Sequence, residues 1–86
     1  MVKINDLVFK HVKTMSKEDL RDMLPKGTIY EFHGYKREIG ATLPYNNLLD
    51  ADVVKLTQKG RYIGQATRRT IAYLILSEQA KVCLTV

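Results

Sequence analysis

Between positions 55 and 69 the sequence KLTQKGRYIGQATRR carries five basic side chains, Lys55, Lys59, Arg61, Arg68 and Arg69, and no acidic residue. Such a run suits a phosphate chain, because Lys and Arg neutralise phosphates and release the counterions condensed on them. Tyr62 stands inside the run, where it can stack on an unpaired base. Gly60 and Gly64 bracket the RYI tripeptide and would let backbone N–H groups approach a phosphate. The plainer alternative is a solvated surface, although ordinary surfaces interleave both signs of charge. A second cluster, YKRE at 35 to 38, sets Lys36 and Arg37 beside Tyr35 at an expected hairpin tip. Alone it is commonplace. It gains meaning only if folding brings it beside the longer run.

Acid–base chemistry has one candidate set. Glu31 and His33 fall on one face of an expected strand, with Glu38 opposite, and a His–Glu pair near Arg and Tyr can cleave RNA. The plainer reading, an exposed strand face, is preferred, and no enzyme is expected. His11 reads as a partly buried spacer in a helix, and Cys83 within KVCLTV as a small core residue. Two distant histidines and one thiol make a poor metal set, so neither metal nor cofactor is expected. Walker, Rossmann and nucleophile-elbow patterns are absent from the sequence.

The 86 residues fit one domain. A chain of this length buries only about 60 to 65% of its unfolded surface. The 45% hydrophobic content is too high for intrinsic disorder. The formal charge of +5 is unevenly placed. Residues 1 to 52 balance eight basic against eight acidic side chains, whereas residues 53 to 86 set six basic groups against Glu78 alone. That asymmetry points to a polyanionic partner in a way a high pI alone does not. The longest apolar run, IAYLIL at 71 to 76, is far short of a membrane span, and MVKIND carries no signal-peptide pattern. A single cysteine allows no internal disulfide, and a reducing, cytoplasmic compartment is the expectation.

Residues 4 to 15 read as an amphipathic helix with Ile4, Leu7, Val8, His11, Val12 and Met15 on one stripe and Asn5 or Asp6 as cap. Ser16 caps a second, short helix over SKEDLRDML that Pro25 and Gly27 stop. Thr28 to Phe32 and Arg37 to Leu43 predict two strands joined near Gly34. From Tyr45 the spacing of Leu48, Leu49, Val53 and Leu56 fits a helix ended by Gly60, with DVVKLT as a strand the alternative. The end of the chain supports two readings. Either TRRTIAYLILSEQA is a helix, or TIAYLIL is a strand, SEQA a turn and KVCLTV the partner strand. The strand reading is favoured by the six-residue length of the apolar run.

In the helical reading, GQATRRTIAYLI followed by a terminal hairpin resembles the recognition helix and wing of winged-helix DNA-binding domains, over roughly the last third of the chain. That resemblance implies base reading by Gln65, Thr67, Arg68 and Arg69. A tiny basic domain without enzymatic motifs also looks like bacteriophage accessory proteins, which bind nucleic acid or inhibit a host enzyme or toxin.

The expectation is a small α+β domain over residues 1 to 86, N-terminal helices packed on a largely antiparallel sheet, with a winged-helix-like fold as the alternative. Its expected function is nucleic-acid binding, RNA ahead of DNA, through Lys55, Lys59, Arg61, Tyr62, Arg68, Arg69, Lys36 and Arg37. The rival is a protein-binding inhibitor or antitoxin-like module acting on a nuclease or toxin; a small ribonuclease stands third. No membrane partner is expected. A homodimer is, because IAYLIL and VCLTV form more apolar surface than one thin layer of helices covers.

Overall fold

The computed structural model describes residues 4 to 43 and 53 to 84. Three helices and five strands follow in the order α1 (Ile4–Thr14), α2 (Lys17–Met23), β1 (Ile29–Phe32), β2 (Tyr35–Thr42), β3 (Val53–Gln58), β4 (Arg61–Thr67), α3 (Arg68–Leu76) and β5 (Ala80–Leu84). The strands form one antiparallel sheet in the order β4-β3-β2-β1-β5, so α3 joins the two edge strands. The fold is a small α+β domain with helices on a sheet.

The core lies between the helices and one face of the sheet. Tyr30, Ile39, Val54 and Leu56 rise from the strands to meet Ile71 and Ala72 of α3, Leu20 and Leu24 at α2, and Val12 of α1. Alternation leaves Lys36, Glu38 and Lys55 exposed on the other face. There Glu31 faces Lys36 on β2 and Lys81 on β5, an acid between two bases across three strands.

The two N-terminal helices form as their patterns indicate, with narrower detail. Helix α1 begins at Ile4, so Asn5 and Asp6 sit in its first turn rather than capping it. Val8 and Met15 pack on the core beside Val12, whereas Leu7 is 57% exposed and His11 is exposed. Ser16 caps α2, its hydroxyl accepting from the Asp19 N–H at 3.1 Å.

Three expectations are corrected. Residues 53 to 58 are strand β3, not the end of a helix; the rest of that expected helix, from Tyr45 to Asp52, lies outside the described residues. Arg61 to Thr67 is strand β4, so GQAT does not open a helix as the winged-helix resemblance implied. The IAYLIL run is helical, and KVCL pairs with β1 instead of with it. Length favoured a strand, but capping favours the helix. Thr67 is extended at φ −82°, ψ 147°, and its hydroxyl accepts from the Thr70 N–H at 3.1 Å. Ile71 and Ala72 are then buried while Leu76 emerges, 39% exposed. Tyr73, off the buried stripe, meets the Phe9 ring edge-on at 5.9 Å between centroids.

Because a β-hairpin precedes α3, no helix-turn-helix forms there and the winged-helix order is not adopted. The apolar run packs against β4 and β5 on one side and against α1 and α2 on the other, with Leu76 left exposed. No helix among the described residues is long and apolar enough to cross a membrane. Thr67→Ala should lower unfolding free energy by about 1 kcal/mol in urea melts, the usual cost of losing an N-cap. An unchanged midpoint would mean that packing alone holds the start of α3.

Candidate nucleic-acid interface

Two tight turns build the site. His33-Gly34 and Lys59-Gly60 each join neighbouring antiparallel strands, and all four residues have positive φ, between 52° and 81°. Two consecutive left-handed residues are the pattern of type I′ hairpins, whose twist matches that of the strands. Glycine takes this conformation without strain, and a Cβ at Gly34 or Gly60 would meet nothing within 4 Å. Backbone conformation rather than crowding is therefore what asks for glycine at both turns.

In an antiparallel meander alternate turns fall at the same end of the sheet, so the β1–β2 and β3–β4 tips lie side by side. β2 and β3 pair as far as Glu38 opposite Thr57 and diverge beyond it. The opening between the tips is a cleft of about 540 Å³, lined by Tyr35, Lys36, Arg37 and Glu38 from one hairpin and by Thr57, Gln58, Lys59 and Gly60 from the other. The two basic clusters of the sequence therefore meet, which was the condition for the second to matter.

Around the cleft, Lys36, Lys59 and Arg61 are exposed. Tyr62 pairs across from Thr57 and is 61% exposed, with Tyr35 at 57% on the neighbouring tip. Lys55 is exposed on the open face of β3, where its Cβ stands 3.3 Å from the position a Cβ on Gly40 would take. That places Lys55 beside the cleft rather than in it. Arg37 is half-buried over the Phe32 ring, 5.7 Å from its centroid, and bonds to the Tyr30 hydroxyl. Burial pushes the Tyr30 phenol above its usual pKa, and the adjacent guanidinium acts against that rise.

Arg68 and Arg69 are elsewhere, and their assignment to phosphate binding is corrected. Arg68 is 4% exposed, donating from Nε to the Leu24 carbonyl at 2.8 Å and from its guanidinium to the Thr42 hydroxyl at 3.0 Å. Arg69 donates to the Val12 carbonyl and, at 2.9 Å, to the Met15 carbonyl. The two arginines thus donate to carbonyls at the C-terminal ends of α2 and α1, where positive charge suits the helix dipole. They hold the three helices together.

The acid–base set also comes apart. His33 is a turn residue at φ 52° whose ring lies 4.1 Å from that of Phe32, not a strand residue beside Glu31. Glu38 opposes Ile29 rather than Glu31. Cys83, expected in the core, is exposed on β5. Among the described residues no three metal-ligating side chains cluster. Gln58, which lines the cleft, was missed by sequence reasoning; the KG dipeptide after an alternating VVKLTQ segment was the signal for its hairpin. No known protein family, curated protein or solved structure matches the chain.

Proposed function

We propose that this is a non-enzymatic nucleic-acid-binding protein that holds a phosphate chain across the paired hairpin tips. The observation that carries this reading is the cleft shared by Lys36, Arg37 and Lys59, with Arg61 exposed on the adjoining strand. These cations supply counterion release, and the exposed rings of Tyr62 and Tyr35 supply stacking surfaces for unpaired bases. Stacking on unpaired bases puts RNA ahead of DNA, since loops and single strands are the commoner targets in RNA. The test is fluorescence anisotropy with a single-stranded RNA over a range of salt. Affinity should fall steeply as salt rises. Flat salt dependence, or no binding at low salt, would remove this reading.

Glu38 lines the same cleft, an acid that a bare phosphate chain would avoid. That favours, as a second reading, an inhibitor or antitoxin-like module whose tips dock on a protein surface of mixed charge. Retention of a single protein from lysate, with no RNA binding, would put it first.

Tyr62→Ala should weaken RNA binding by about 1 to 3 kcal/mol, the range for one base–aromatic stack. His33→Ala should leave it within a factor of about two, since the ring faces Phe32. Both variants should also be followed for RNA cleavage over hours. Cleavage by the native protein that His33→Ala abolishes would make this a ribonuclease.

A further inference from the structure

A second cavity, of about 450 Å³, opens between α3 and the β3–β4 hairpin on the helix-covered side of the sheet. Ile63, Ile71 and Leu74 form apolar wall, while Arg37, Gln58 and Thr70 bring polar groups to it. Arg37 and Gln58 line the tip cleft as well, so the two cavities adjoin across these side chains.

Ile63 explains how the cavity is walled. Pairing of β3 with β4 runs Leu56 to Gly64 and then Thr57 to Tyr62, leaving Ile63 as an extra residue. A bulge of this kind re-aims a side chain that strict alternation would place on the opposite face. Here it keeps Tyr62 on the open face and gives Ile63, 43% exposed, to the cavity. The Arg37 Nε–H adds a separate pointer to a ligand. It is buried and has no hydrogen-bond partner, a donor that an acceptor lodged beside it would satisfy.

We propose that this cavity receives one unstacked base of a single strand whose phosphates lie in the tip cleft. The proposal rests on the nucleic-acid reading of that cleft and adds the class of strand and the place of a base. A flat heterocycle matches apolar walls, and the Gln58 amide offers both a donor and an acceptor to a base edge. Arg37 sits where sugar and phosphate pass from one cavity to the other. A base held in a duplex is stacked on both faces and is excluded.

The experiment compares three probes of equal length at fixed salt: a single-stranded oligoribonucleotide, the same chain made abasic, and its duplex. All are measured in a Tyr35→Ala, Tyr62→Ala background, so that neither exposed ring stacks and the remaining base dependence is the cavity's own. The base-containing strand is expected to bind about tenfold tighter than the abasic chain, with the duplex no better than the abasic chain. Ile63→Ser should erase that difference and leave the salt slope unchanged. Gln58→Ala, which leaves the apolar wall intact, should change the ranking of oligo-A, oligo-U and oligo-C and serves if Ile63→Ser fails to fold. Equal binding of base-containing and abasic chains, with a steep salt slope for both, would overturn base insertion and leave phosphate binding standing. No binding of any probe would overturn both.

Discussion

Arg68→Ala is expected to lower the unfolding free energy by about 3 kcal/mol, through loss of charge-assisted hydrogen bonds and a carbonyl left buried without a donor. For a domain of this size that corresponds to a fall of roughly 12 to 24 °C in Tm. The side chain is 4% exposed and ties the end of α2, through Leu24, to the end of β2, through Thr42. Lysine should not restore the loss, because Nε and a terminal nitrogen of the guanidinium reach two acceptors at once and an ammonium is a point donor. Arg69→Ala should cost less, since Arg69 is only half-buried and water can reach part of what it leaves. Circular-dichroism melts of the three variants settle the matter. If Arg68→Ala melts within about 1 °C of the native protein, the clamp carries no weight in the fold. The same variant, assayed well below its Tm, should bind RNA with an unchanged salt slope. A slope shallower by about one unit would instead return Arg68 to the phosphate-binding set.

Combining Lys36→Ala, Lys59→Ala and Arg61→Ala should weaken binding to single-stranded RNA on the order of 100-fold at low salt, if each phosphate left without its cation costs about 1 kcal/mol. The salt slope should become shallower by roughly one unit for each phosphate no longer neutralised. All three side chains are exposed, so the melt of the triple variant should stay near that of the native protein. Lys10, Lys17 and Lys26 supply the control. Removing these three changes the net charge equally, but they lie on or just after the N-terminal helices. A diffuse electrostatic attraction would respond alike to both sets, and that result would argue against a site at the tips. Arg37 is left out of the triple because its contacts with Tyr30 and Phe32 give it a share in the core.

The α+β class, the two N-terminal helices, the β1–β2 hairpin and the strand at the C-terminal end were all legible in the chain. Each rests on local chemistry: Ser16 three residues before Asp19 makes a cap, Pro25 ends a helix, and Gly34 permits left-handed backbone. The excess of charge after residue 53 was legible for the same reason, since formal charge needs no fold. Two matters belonged to the packing. IAYLIL satisfies a buried strand and a buried helix equally by composition. Its helical state follows from the Thr67 cap and from cover by sheet and helices on opposite sides, and periodicity over six residues cannot report that cover. The fates of the arginines were likewise undecided. Arg61 and Arg68 are alike as letters within one basic run, yet one ends exposed beside the cleft and the other against the Leu24 carbonyl. A guanidinium goes wherever unpaired carbonyls are presented to it, and it is the packing of α2 against α3 that makes Leu24 present one.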